Sequence, residues 1–145
     1  MRFDTVIIGG GLSGLTAGIT LAKAGKKVAI VAAGQSTLHF HSGSFDLLGY
    51  DAEGQEVVNP VEAIAALGAE HPYSKVADVA ALTNDAAVML QDAGLKVKGS
   101  ADKNHYRITP MGVTKPTWLT IGDYLTSESA TALPYKKILL ANIAG

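Results

Sequence analysis

Four glycines near the start of the chain, Gly9, Gly10, Gly11 and Gly14, carry its clearest chemical signal. They follow the β-branched run Thr5-Val6-Ile7-Ile8 and open a segment of helical spacing, the setting in which G-x-G-x-x-G acts as a dinucleotide-binding turn. In such a turn Gly9 lets the strand bend sharply, Gly11 lets a phosphate approach the backbone, and Gly14 lets helix and strand pack closely. Leu12 and Ser13 complete the turn, and the phosphate faces unpaired N–H groups at the positive end of the helix. The alternative is a βαβ unit whose glycines serve packing alone.

The elements needed to position that turn follow in order. Leu12, Leu15, Ile19 and Ala22 fall on one helical face, Gly25 is placed to stop the helix, and Lys23, Lys26 and Lys27 favour its negative end. Val28-Ala29-Ile30-Val31 then reads as a second buried strand, so that about 1–35 forms a parallel βαβ phosphate-binding unit. Where an acidic residue ordinarily accepts the adenosine ribose hydroxyls, this chain has Ala32. Either the ribose is held differently or the ligand has none.

Further polar residues lie just beyond. Gln35 and Ser36 stand where side chains could replace the absent acid, and Ser42, Gly43 and Ser44 offer short hydroxyls and a glycine for a phosphate, a sugar chain or a ring edge. An ordinary polar turn is the competing reading of the second group. His39 and His41 share a face if locally extended, but two histidines without a third ligand make a poor metal site, and no metal is expected. Asp46, Asp51, Glu53, Asp85 and Asp92 are scattered without pairing, so the catalytic residues are not identified and each acid reads as solvated surface charge.

The rest of the pattern is mixed. Asn59-Pro60-Val61-Glu62 reads as a capped helix start, with the helix ending before His71-Pro72. A second helix is expected from Ser74 as cap, with Val76, Val79, Ala80, Ala87 and Leu90 inward and a stop at Gly94. Extended segments at His105–Thr109 and Thr117–Leu119, around a turn at Pro110–Gly112, predict a small antiparallel β insertion over about 100–120. Lys136 to Gly145 reads as a buried parallel strand, and a chain ending there is expected to be the N-terminal piece of a longer protein.

At 145 residues, 48% hydrophobic and 17% charged, the chain is long enough for a core. A formal charge of −1 with no basic run argues against nucleic acid as a partner. The absence of cysteine excludes disulfides and cysteine-ligated iron–sulfur clusters within these residues. Met1-Arg2-Phe3-Asp4 leads straight into the first strand and no apolar run reaches membrane-spanning length, so a soluble, cytoplasmic protein is expected.

Several blocks together carry a family resemblance: Met1 to Gly14, Gly34-Gln35-Ser36 through Leu38-His39-Phe40, Ser42-Gly43-Ser44 with Asp46-Leu47-Leu48, His71 to Ser74, Thr109-Pro110 with Gly112, Thr117 to Leu119, and Lys136 to Ile138. They resemble the second subunit of bacterial anaerobic glycerol-3-phosphate dehydrogenases, over roughly the first third of that family's protein. The resemblance implies a Rossmann-like α/β flavoprotein domain, of which 1–145 is the N-terminal part. It also implies a quinone-linked complex that oxidises sn-glycerol 3-phosphate to dihydroxyacetone phosphate. Its partners would be a catalytic first subunit and an iron–sulfur, membrane-associated third subunit, through which this chain sits peripherally at the inner membrane. The cofactor that the resemblance assigns is FMN, with FAD the alternative, and Ala32 agrees with FMN because FMN has no adenosine ribose. The fragment alone is expected to be inactive, with the base beyond these residues or in a partner. An electron-relay or assembly protein that binds flavin without substrate chemistry is the competing function. A nicotinamide-dependent dehydrogenase is a third reading, against which the triple glycine and Ala32 weigh.

Overall fold

The computed structural model describes residues 1–139 and 141–143 and has α/β character, with the chain divided into two compact units, Met1–Ser42 and Gly43–Gly145.

In the first unit, β1 (Thr5–Ile8), α1 (Leu12–Lys23) and β2 (Val28–Val31) form a parallel crossover, with register running from Thr5 opposite Val28 to Ile8 opposite Val31. Parallel neighbours need such a crossover because a hairpin would reverse the second strand. Gly25, at φ +75°, ends α1 as expected: its N–H donates to Ala22 O at 2.9 Å and Lys26 N–H donates to Leu21 O at 3.0 Å, satisfying the last carbonyls.

The buried face of α1 differs from the one that the apolar spacing predicts. Leu12 is 47% exposed, Leu15 and Ile19 are also exposed, and the buried residue is Gly18. A Cβ on Gly18 would lie 2.8 Å from Ile30 Cδ1, and one on Gly14 would lie 2.0 Å from the backbone oxygen of Gly9. Glycine therefore sets the distance between helix and strands, and the larger apolar residues are turned aside. On the sheet face away from α1, Val6, Ile8 and Val31 are exposed.

In the second unit, α2 (Pro60–Ala65) begins as predicted: Asn59 Oδ1 accepts from Glu62 N at 3.1 Å and Asn59 Nδ2 donates to Glu62 Oε2 at 3.2 Å. It is short, and a 3-10 turn at Pro72–Lys75 follows, capped by His71. The next helix, α3 (Val79–Asp92), starts at Asp78 instead of Ser74, because the Asp78 carboxylate accepts from Ala81 N at 2.9 Å. Ser74 instead donates its hydroxyl to Ala69 O and His71 O. Val76 accordingly lies before the helix, Ala80 is exposed, and Thr83 is the buried residue of α3. Gly94, at φ +85°, follows its end as the sequence indicates.

The antiparallel region is wider than the 100–120 stretch. One three-stranded sheet has the order β3 (Ser44–Phe45), β7 (Leu119–Ile121), β4 (Val97–Lys98), and the other has the order β6 (Thr114–Thr117), β5 (His105–Ile108), β8 (Thr126–Ser127). The β5–β6 turn closes at Thr109–Val113, with Gly112 at φ +75°. Among the described residues Val57, Pro60, Ile64, Trp118 and Leu119 are buried, alongside buried Ser44, Thr83, Asn104, His105, Arg107, Thr117, Thr120 and Ser127. The strand expected over Lys136–Gly145 does not form in 136–139 or 141–143, where Leu139 and Ile143 are exposed and no strand pairs with them among the described residues. Leu140, Ala144 and Gly145 lie outside the described residues. Among the described residues no helix is long and apolar enough to cross a membrane.

Candidate functional site

The first unit holds a cavity of about 440 Å³ lined by Ile8 to Gly11 and Val31 to Thr37. It opens where β1 and β2 end side by side, the edge of a parallel sheet at which ligands are commonly received. Gly9 takes φ +113°, a backbone region open to glycine, and its N–H donates to Val31 O at 2.8 Å, joining the two strand ends. Gly11 caps α1 with no side-chain hydrogen bond, and the first turn contains no acid. The early amides of α1 are thus left for an external acceptor.

The glycines do different work. A Cβ on Gly11 would meet only Ser36 Cβ at 4.0 Å, so the protein itself has room there. A Cβ on Gly10 would lie 3.1 Å from Ala32 Cβ, so two small residues meet where an acid is ordinarily found. Gly14 is held against Gly9 O, as its close-packing role requires.

Gly9, Gly10, Gly11, Ala32, Gln35 and Ser36 are brought together in the lining. Leu12, Ser13 and Gly14 form the first turn of α1 behind it. Ile8, Val31, Ala33, Gly34 and Thr37 complete the wall, brought there by the two strand ends and the start of the 3-10 turn. Ser36 is partly committed, since its Oγ accepts from Leu38 N at 3.2 Å and caps a 3-10 turn over Thr37–Phe40. That turn removes the extended geometry expected for His39 and His41, and the His39 ring instead packs edge-on to Phe40 at 4.8 Å.

Ser42, Gly43 and Ser44 do not line this cavity. Ser42 ends the first unit, while Ser44 is buried in β3 opposite Thr120. Gly43, at φ +73°, accepts from Ile121 N, and a Cβ there would lie 2.3 Å from Tyr124 Cε2. These residues form a turn and a strand start.

Two of the scattered acids, Asp46 and Asp51, are likewise engaged structurally. Asp46 pairs with Lys115, and Asp51 Oδ1 accepts from the backbone N–H groups of Glu53 and Gln55. Tyr106 donates to Glu56 Oε2 at 2.6 Å, a bond that pushes the phenol up to about 12 and keeps it protonated. Burial pushes the His105 imidazole below its ordinary value, and its Nε2 lies 2.8 Å from Thr120 Oγ1.

A larger cavity, about 540 Å³, lies in the second unit among α2, α3, Gly99–Asp102 and Trp118. Several of its polar groups are engaged within the protein: Asn59 with Glu62, Thr83 Oγ1 donating to Val79 O and Ala80 O, and Ser100 with Asp102, whose carboxyl is held below the usual range by that hydroxyl. The smaller cavity is the better cofactor candidate, because it joins uncapped helix amides to a wall rich in glycine and alanine. Among the described residues no group of three or more His, Cys, Asp or Glu is placed to hold a metal ion.

The chain is 44% identical over 151 residues to the second subunit of the anaerobic glycerol-3-phosphate dehydrogenase of Yersinia pestis bv. Antiqua (strain Antiqua), covering 100% of this chain and 36% of that relative. It is 47% identical over 151 residues to the corresponding protein of Yersinia enterocolitica serotype O:8, with the same coverage, and 41% identical over 150 residues to that of Actinobacillus succinogenes, with 100% and 35% covered. The chain thus spans about a third of the length of the curated relatives it matches. No solved structure matches it. The family described as FAD binding domain matches residues 4–145. That description favours FAD over the FMN implied by the resemblance, and the matched residues include the whole glycine turn. The chain belongs to the FAD binding domain family.

Proposed function

We propose that these residues are the N-terminal part of a Rossmann-like flavoprotein subunit of an anaerobic glycerol-3-phosphate dehydrogenase, with FAD as cofactor and FMN as the alternative. The observation that carries the reading is the uncapped start of α1 at Gly11, beside a cavity walled by backbone and small residues. Gly9, Gly10 and Gly11 let the chain approach a phosphate, and the first amides of α1 donate to it. Gln35 stands at the cavity beside Ala32 and supplies the amide that takes the place of an acid at the ribose. Bound flavin supplies acceptance of a hydride, in the overall oxidation of sn-glycerol 3-phosphate to dihydroxyacetone phosphate. The chain's contribution is to hold and orient that group.

In the complete protein, electrons would leave for a membrane quinone through the catalytic and iron–sulfur partners, and the protein would sit peripherally at the inner membrane through them. A second reading is favoured by one feature: none of the residues lining the cavity carries an acid or base. On that reading the protein relays electrons and performs no substrate chemistry. Anaerobic bleaching of its flavin by glycerol 3-phosphate in the isolated full-length protein separates the two, because a pure relay stays oxidised without its partners.

Gly11→Val tests the cofactor site. The protein has room for the side chain and the phosphate does not, so the purified full-length protein should lose its flavin absorbance while its Tm moves by no more than about 3 °C. Undiminished flavin content would count against the site. Acid extraction of the wild-type protein should yield FAD as the major flavin, and recovery of FMN would restore the alternative.

A further inference from the structure

Arg107 occupies β5, the middle strand of the β6-β5-β8 sheet, and is only 7% exposed. The register places Lys115 directly across from it on β6 and Thr126 across from it on β8. Directly opposed residues of antiparallel strands project from one face, so a guanidinium, an ammonium and a hydroxyl form a single row across three strands.

The charges of that row are not balanced. Lys115 Nζ is paired with Asp46, whereas Arg107 Nε is sealed from solvent and has no hydrogen-bond partner among the described residues. Other acids near the sheet are engaged: Glu128 with Lys103 at 2.8 Å, and Glu56 with the Tyr106 hydroxyl. His105, on the same face two positions along β5, is bonded to Thr120. Like charges directly opposite one another destabilise a sheet, and a buried cation is tolerated when it is paired. Lys115 has its acid, and no acid is paired with Arg107 among the described residues, which leaves a positive charge in excess.

We infer that the Lys115–Arg107–Thr126 row binds the phosphate group of a small-molecule ligand. Arginine presents a planar fork of donors matched to an oxyanion, lysine adds a second charge, and threonine adds a neutral donor. Three donors on adjacent strands suit a tetrahedral group with three free oxygens better than a planar carboxylate with two. The inference rests on the proposed function only for the source of the phosphate, the substrate's or, where the flavin is FMN, the cofactor's, since each phosphorus of FAD has only two free oxygens.

The test titrates inorganic phosphate calorimetrically into the full-length protein and its Arg107→Gln, Arg107→Lys, Lys115→Met and Thr126→Val variants. Flavin content and the KM of the assembled complex for glycerol 3-phosphate are measured in parallel. Arg107→Gln should weaken phosphate binding by roughly tenfold or more, with Arg107→Lys recovering part and Thr126→Val losing least. A raised KM with flavin retained identifies the substrate's phosphate, and lost flavin with an unchanged KM identifies the cofactor's. Equal phosphate affinity in wild type and Arg107→Gln, or no binding by wild type together with retained flavin and an unchanged KM in Arg107→Gln, overturns the inference and means that the guanidinium is met by some other group of the full-length protein. If Arg107→Gln fails to fold, undiminished affinity in both Lys115→Met and Thr126→Val has the same force. A full-length protein without flavin or turnover would sink the proposed function while leaving the phosphate titration readable.

Discussion

The two units achieve close packing by opposite means. In Met1–Ser42 the contact between α1 and the strands depends on side chains that are missing, with Gly14 and Gly18 allowing the helix to approach, while Val6, Ile8 and Val31 stay exposed. In Gly43–Gly145 the interior is filled by polar side chains that bind backbone and one another: Thr117 Oγ1 donates to Phe45 O at 2.7 Å, Asn104 Nδ2 donates to Leu48 O and Val57 O, and His105 meets Thr120. The first arrangement is vulnerable to added atoms. The second is vulnerable to lost or mismatched hydrogen bonds, because a buried polar group without its partner keeps its desolvation cost.

Gly14→Ala should expose this difference most strongly. A methyl group 2.0 Å from the Gly9 carbonyl oxygen forces helix and strand apart, at a cost of about 3 kcal/mol. Chemical denaturation of the full-length protein measures it, and near-wild-type stability would show that the first unit does not depend on close approach. The same substitution at Gly43 probes the second unit, where a positive φ and the Tyr124 ring both oppose a side chain; about 2 kcal/mol is expected. Its flavin content per folded molecule should be unchanged, since Gly43 lies outside the candidate cavity, and a flavin-specific loss would return Gly43 to the site. Asp78→Ala should cost about 1 kcal/mol by uncapping α3. Ser74→Ala should disturb α3 less, and the reverse order would reinstate Ser74 as the cap.

The smallest effect is a pH dependence centred on His105. Burial and the Lys98 charge lower its pKa from 6.5 while Glu128 opposes the shift, so the folded protein holds the ring neutral more readily than the unfolded chain does. Below about pH 6.5 the unfolded state binds more protons, and the stability associated with His105 falls as pH falls. His105→Gln should flatten that part of the stability profile between about pH 7 and pH 5. An unchanged slope would assign the acid sensitivity elsewhere.

Legibility in the sequence follows the same division. The parallel crossover, the Gly25 and Gly94 helix stops and the Asn59 cap depend on local backbone rules, and each is readable from neighbouring residues. The buried stripe of α1 is not, because apolar spacing marks Leu12, Leu15 and Ile19 while the distance to Ile30 admits only Gly18. Asp78 and Ser74 are both competent caps, and the turn that Pro72 starts decides between them. The short strands β3, β4 and β8 escape a sequence reading because two residues show no alternation and their pairing partners lie far along the chain. Within the candidate site, the glycines, Ala32, Gln35 and Ser36 are legible as a turn. Ser42 to Ser44 do not line that cavity, and a Ser-Gly-Ser sequence looks the same at a ligand and at the start of a buried strand.

β6 ends at Thr117 and β7 begins at Leu119, so Trp118 alone separates two strands that belong to different sheets. The chain passes from one sheet to the other through that single bent residue, with Thr117, Leu119 and Thr120 shielded from solvent on either side of it. A tug on the β5–β6 hairpin is therefore transmitted along the covalent backbone to β3 and β4, with no slack loop to absorb it. Trp118 sits at the coupling and is the single tryptophan of these 145 residues, which makes its emission a native strain gauge for the passage of movement between the sheets.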